Sequence, residues 1–207
     1  LRLSQAANPP WGDFGCIAPK DAVRAFQTSG TTGKAVRIML NRKDWHETFY
    51  EQFMHFRCGF GLTEHDVLFV PFNYGLYIAW WSFQTTMEKA GLMIIPGGGL
   101  SSKDRLRAML EWGATTICGT PSYLLYLAET ARKNGIDLPG SPIRKMVAAG
   151  EPGASILSTK KAMESQWGAD CFDDIGSTEI SNFGYECIKH EGTHVVESMF
   201  VAELLDP

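Results

Sequence analysis

Apolar and polar positions change period along this chain, and each change predicts an element. Val23, Ala25 and Phe26 lie in an extended stretch, and "AVRIML" alternates apolar with polar, so two strands flank the segment Thr28 to Lys34. From Asp44 the period lengthens. Trp45, Phe49, Phe53, Phe56 and Phe60 recur at helical spacing, Asp44 with Glu47 suggests an N-cap, and Gly59 and Gly61 stop the helix. This aromatic stripe reads as a core face. "DVLFVPF" is then a buried strand, "GLYIAWWSFQTTMEKAG" a largely buried helix and "LMIIP" a strand. "SSKDRLRAMLEWG" is an amphipathic helix and "TTICG" a strand. "TPSYLLYLAETARKNG" is a helix with Thr120 as N-cap, Pro121 in its first turn and Gly135 closing it. "IRKMVAAG" is a strand, "GASILSTKKAMESQWG" a helix and "DCFDDIG" a strand. After Gly184 the pattern changes to paired strands, "FGYECI" and "THVVESMFVAELL".

Strands alternating with helices from Asp66 to Gly176 predict an α/β fold. Its mainly parallel sheet has helices on both faces, followed by a C-terminal antiparallel β segment. Ligands of such sheets bind beyond the carboxyl ends of the strands. The segments that follow the five strands are "FNYGLY", "GGG", "TPSY", "GEPG" and "GSTE". Their register makes one site at that edge more plausible than five separate turns.

The segment Thr28–Lys34, "TSGTTGK", is rich in hydroxyls and glycine and ends in lysine. A glycine-rich turn aims backbone N–H groups into one concavity, and a lysine adds positive charge. A polyphosphate cradle and a polar surface hairpin both fit this composition. It is not a Walker P-loop, because Gly30 and Gly33 are only two residues apart and Ala35 follows Lys34.

Composition narrows the partners. The formal net charge of −4 and the lack of basic runs leave no field for nucleic acid or an anionic membrane. No apolar run is long enough to span a bilayer. Five cysteines at wide spacing (Cys16, Cys58, Cys118, Cys171, Cys187) read as reduced cytoplasmic thiols and not as a disulfide framework. The chain begins at Leu1 and ends at "VAELLDP", and both ends read as cut from something longer.

"TSGTTGK", "FNYGLY", "GTPSYLLYLAE", "AAGEPG" and "IGSTE" occur in the order in which the adenylate-forming enzymes carry them. "YECIKHEGTHVVES" resembles a stretch of the phenylacetate–coenzyme A ligase branch. The resemblance runs from about Pro9 to the end. It implies that residues 1–207 are part of a large N-terminal domain whose partner, a small C-terminal domain with a catalytic lysine, lies downstream. It implies ATP-dependent activation of an aryl or arylacetic acid to an acyl-adenylate, then thioester formation with coenzyme A. Two other outcomes stay open: a non-catalytic nucleotide- or acyl-adenylate-binding module, and an adenylating enzyme of secondary metabolism that transfers to a carrier protein or amine. A serine-nucleophile enzyme is disfavoured, since G-x-S-x-G is absent.

The resemblance also assigns roles. Thr28, Ser29, Gly30, Thr31, Thr32, Gly33 and Lys34 would form a mobile loop over the β- and γ-phosphates. Gly150, Glu151 and Pro152 would border the adenine, and Asp174, Ile175, Gly176, Ser177 and Thr178 would pass beneath the nucleotide. Thr178 would touch the α-phosphate and Glu179 would hold Mg²⁺, a hard cation suited to carboxylate. Lys34, Thr178 and Glu179 are the catalytic candidates; Asn73, Tyr74, Gly75 and Tyr77 would line the acyl side. Trp80 and Trp81 read as core. Small carboxylic acid, ATP and coenzyme A are the implied partners, the location is cytoplasmic, and a homodimer is one implied state.

Two departures from the family pattern stand out. Ile175 replaces an aromatic residue that stacks on adenine, and Ala35 replaces a proline after the loop lysine. Cys187, His190 and His194 crowd into eight residues at a spacing that could support Zn²⁺. An ordinary polar hairpin is the default there, although Cys187 and His194 fall in the family's "EC…G.HV" element.

Overall fold

The computed structural model describes residues 1–30, 33–203 and 205. Seven strands form one sheet in the order β4 (Met93–Pro96), β3 (Val67–Val70), β5 (Thr116–Gly119), β6 (Lys145–Ala149), β7 (Asp170–Ser177), β8 (Ser181–Glu186), β9 (Thr193–Val195). Strands β3 to β7 run parallel, whereas β8 and β9 run antiparallel. A separate antiparallel pair, β1 (Ala22–Gln27) and β2 (Arg37–Asn41), precedes it.

Alternate residues of each strand feed two cores. Phe69, Ile117, Met146, Ala148 and Cys171 pack under α4 (Ser102–Glu111), α5 (Pro121–Lys133) and α6 (Leu157–Trp167). Their neighbours Leu68, Val70, Cys118, Val147 and Phe172 pack under α2 (Phe49–Gly59) and α3 (Ile78–Lys89). Period-2 alternation thus places helices on both faces, as the pattern predicts. Phe53, Phe56 and Phe60 are fully buried, so the aromatic stripe is a core face. Trp80 and Trp81 are half-buried against that core.

The structure corrects the local expectations in four places. A short helix α1 (Arg2–Ala7), with no buried residue to create a periodic signal, was not anticipated. The cap ahead of α2 is Asn41, not Asp44. Asn41 Oδ1 accepts from Asp44 N at 2.8 Å and Asp44 Oδ2 accepts from Asn41 N at 3.0 Å, a reciprocal capping box. The chain then passes through a π-helical turn, Asp44–Thr48, before α2. The antiparallel segment starts before Gly184, because β7 itself pairs with β8 from Asp174 onward, and β9 is only three residues long. The helix ends fare better. Thr120 Oγ1 accepts from Tyr123 N, and Pro121 opens α5.

Candidate functional site

A cavity of about 330 Å³ opens where the parallel strands end. Four segments meet there. Thr28, Ser29 and Gly30 come from the β1–β2 loop, Ala149 and Gly150 from the end of β6, and Gly176, Ser177, Thr178 and Glu179 from the end of β7. Ile78 and Ala79 come from the first turn of α3. Residues 120 positions and more apart in sequence are therefore brought together by the strand-end rule.

Each segment has a local reason for its course. Thr28 closes the loop: its N–H donates to Val36 O and its Oγ1 accepts from Val36 N, both at 2.9 Å. Among the described residues nothing accepts that hydroxyl's own hydrogen, which leaves it available to a ligand. Gly30 turns at φ +70°, and a Cβ there would stand 2.9 Å from Gly33 O, so only glycine makes this turn. Gly176 lies against Asn182, and a Cβ would come within 2.7 Å of the Asn182 Cα. This close approach lets β8 fold back beside β7 at a bulge between Ile175 and Gly176. Gln27 N donates to Leu76 O at 2.8 Å, tying the loop's base to the segment ahead of α3.

Glu179 is exposed and lines the cavity; no hydrogen bond or ion pair holds its carboxylate among the described residues. Thr178 and Glu179 also line a second, mainly apolar crevice of about 610 Å³ with Val36, Ile38, Phe49 and Phe200. Asp174 is buried beneath the site and accepts from Asn182 Nδ2. Burial, then the neighbouring Asp173 charge, raises its carboxyl to about 7 against the bond from Asn182, which lowers it.

Other predicted residues go elsewhere. Lys34 is exposed on the loop and does not line the cavity, and Thr31 and Thr32 lie outside the described residues. Glu151 turns away: its Oε1 accepts from Ser122 N at 2.6 Å, at the N-terminus of α5, where a carboxylate meets the helix dipole favourably. Pro152 is exposed beyond it. Asn73 Oδ1 accepts from Gly99 N at 2.6 Å and from Arg105 Nη2 at 3.3 Å, joining the turns after β3 and β4. Tyr74 packs on Trp81 with ring centroids 4.7 Å apart, and burial raises its hydroxyl pKa. Gly75 O accepts from Trp81 Nε1, and Tyr77 stands exposed at the N-cap of α3. Of the "NYGLYIA" segment only Ile78 and Ala79 reach the cavity.

Arg2, Ile78, Ala79, Ala149 and Asn182 line the cavity without having been expected there. Ile78 and Ala79 follow directly on "NYGLY", and Asn182 follows "GSTE" by three positions, so a wider window around each motif finds them. Arg2 has no such signal. Zinc finds no centre: among the described residues no group of three His, Cys, Asp or Glu could hold a metal ion. The His194 ring is stacked on Tyr185 at 5.3 Å, and Cys187 Sγ accepts from Lys189 N at 3.4 Å. His190 is drawn instead to Glu186 Oε1, 3.0 Å away.

With this geometry in hand, the matches to known proteins are specific. The family model described as AMP-binding enzyme matches residues 6–198. The chain belongs to the AMP-binding enzymes. Within that family it is 28% identical over 203 residues to the phenylacetate–coenzyme A ligase of Pseudomonas putida, covering 97% of this chain and 45% of that protein. It is 26% identical over 204 residues to the enzyme of the same name from Escherichia coli K12, covering 97% of this chain and 46% of that one. This AMP-binding chain thus spans somewhat less than half the length of the curated relatives it matches. A solved 2-hydroxyisobutyryl-CoA ligase, in complex with 2-HIB-AMP and CoA in its thioesterification state, superposes with a TM-score of 0.80 at 29% identity. That alignment covers 87% of this chain and 38% of that one. ATP-bound MatB from Rhodopseudomonas palustris shares the fold at a TM-score of 0.64 and 18% identity, over 85% of this chain and 33% of that one. The α/β architecture of this AMP-binding protein is thus that of adenylate-forming enzymes. No helix among the described residues is long and apolar enough to cross a membrane.

Proposed function

We propose that this chain supplies the nucleotide-binding half of an enzyme that activates a carboxylic acid with ATP and passes the acyl group to coenzyme A. The convergence of Thr28–Gly30, Gly150 and Gly176–Glu179 on one cavity at the strand ends carries the reading. A carboxylate oxygen attacks the α-phosphorus, the bond to the bridging oxygen breaks, and pyrophosphate leaves. The thiol then attacks the acyl carbon, loses its proton and displaces AMP. The first step demands positioning and charge neutralisation more than a protein nucleophile.

The residues divide these tasks. Ser29 and Thr28 donate their hydroxyl hydrogens to phosphate oxygens, and Lys34 reaches the terminal phosphates from the loop with Thr31, Thr32 and Gly33. Gly150 borders the adenine, with Glu151 and Pro152 fixing its turn from outside. Thr178 contacts the α-phosphate. Glu179, a carboxylate on the cavity wall without a partner among the described residues, fits a divalent cation, and Mg²⁺ bound there would offset phosphate charge. Ile78 and Ala79 lie on the acyl side, with Tyr74, Gly75, Tyr77 and Asn73 behind them. Phenylacetate or a related aryl acid is the substrate class that the curated relatives suggest. Coenzyme A is the acceptor we favour over a carrier protein.

Calorimetric titration with Mg·ATP and with a non-hydrolysable aryl-acyl-adenylate analogue tests this reading, beside Lys34→Ala and Glu179→Ala. We expect the analogue to bind and each variant to weaken it about tenfold or more, the size expected for a lost charge-assisted contact. A folded sample that binds neither ligand up to millimolar levels overturns it. Ile175 pairs with Gly184 across β7 and β8, beside the Thr193 side chain, and does not itself line the cavity; a larger aromatic ring at this position would reach further toward the adenine than the aliphatic side chain does. Ile175→Tyr should therefore tighten nucleotide binding about fivefold, the aromatic contribution of ~1 kcal/mol.

A further inference from the structure

We propose that Gln52, on α2 and outside the nucleotide cavity, is a positioning residue that sets the turn carrying Thr178 and Glu179. This rests on the reading of that cavity given above. Gln52 is 2% exposed and sits between Phe49, Phe53 and Phe56 on the stripe that feeds the core. An amide there is costly unless both of its ends are hydrogen-bonded, and a leucine would fill the same place.

Both ends are bonded, and both go to the same two residues of the β7–β8 turn. Gln52 Nε2 donates to Asn182 O, and Gln52 Oε1 accepts from Ser181 Oγ at 2.8 Å. Ser181 holds φ +65°, a left-handed conformation that residues other than glycine avoid. The hydroxyl bond to Gln52 accompanies that conformation. Asn182, the next residue, lines the cavity, and its side chain donates to Asp174. Its Cα also lies in the space where a Gly176 Cβ would stand. The turn is thus held from α2 on one side and from β7 on the other, and Glu179 is two residues from the first of these bonds. Helix α2 gives no residue to the cavity, yet through Gln52 it fixes where the cavity's catalytic candidates stand.

The test compares Gln52→Leu, similar in volume and without hydrogen bonds, with Phe53→Leu, a core change beside it that touches no turn residue. Hydrogen exchange is followed for amides 177–182 and for α5 as an internal standard, and analogue binding is titrated in parallel. We expect Gln52→Leu to speed exchange at the turn about tenfold and to weaken the analogue about tenfold, as loss of a buried hydrogen-bonded group would. Phe53→Leu should lower overall stability without singling out the turn. Gln52→Glu should recover turn protection as pH is lowered, since a protonated carboxyl offers the same donor and acceptor. If Gln52→Leu leaves the turn at wild-type exchange, or changes it no more than Phe53→Leu does, Gln52 is a core residue only and the proposal falls. If the wild-type protein fails to bind the analogue, the reading of the cavity falls, while the exchange comparison still decides the role of Gln52.

Discussion

Asp174 shows how a single residue can carry a cost beneath a site. Its carboxyl lies near 7 in the fold and at the ordinary 3.8 in the unfolded chain. The folded state therefore binds more protons between these values, and stability falls as pH rises from about 4 to 7. Asp174→Asn keeps the shape and a partner for Asn182 but removes the proton. Urea denaturation between pH 4 and 8 should show the wild type losing stability relative to this variant, on the order of 4 kcal/mol in total. A pH-independent difference between the two would refute the assignment. Single residues were also where the sequence was least legible. "GSTE" names a strand end, and because strand ends converge Glu179 lies on the wall of the cavity. The bond from Ser122 N to Glu151 was not legible, because whether a carboxylate faces a ligand or the start of α5 depends on a helix placed about thirty residues earlier in the chain.

At the scale of elements, capping decides where helices begin. Asn41 and Asp44 exchange side chain and backbone ahead of α2, so Asp44→Ala should cost about 1 kcal/mol of stability, read as a shift in denaturation midpoint. Glu47→Ala, which the sequence pattern had paired with Asp44, should cost no more than a few tenths of that. If Glu47→Ala proves the more damaging, the cap has been misplaced. Periodicity made nearly every element legible from Trp45 onward, since each buries a regular face. It missed α1, which buries nothing, and overextended β9, because "VVESMFVAELL" is apolar enough to suggest a strand although pairing stops at Val195. The bulge at Gly176 was legible only as a glycine. That the chain turns back after Ser177, so that β8 pairs with β7 on both sides of this bulge, is a property of the two strands together.

For the whole molecule, the sheet binds two cores together and holds a buried ion pair at its edge of antiparallel strands. Lys160 on α6 meets Glu186 on β8, with both side chains about nine-tenths buried. Lys160→Met would leave that carboxylate without its ammonium and should cost about 3 kcal/mol or more. Lys160→Met with Glu186→Leu should recover most of this, because a buried pair is worth far less than the penalty of halving it. Equal losses in the single and double variants would show that the pair itself is the stabilising element. The order of a sheet between two layers of helices was legible from alternation alone, whereas this cross-link joins positions 26 residues apart that no periodicity connects. Strand β7 holds a last consequence. Asp173 and Asp174 are neighbours on it, yet the first lies near Lys160 and Glu186 and the second reaches Asn182 on the other face. Sliding β7 by one position against β6 would exchange the two carboxylates and carry Phe172 out of its own core. The strand thus reads its own alignment: a misplaced β7 meets two unmatched charges at once, and only one register lets the sheet close around the site.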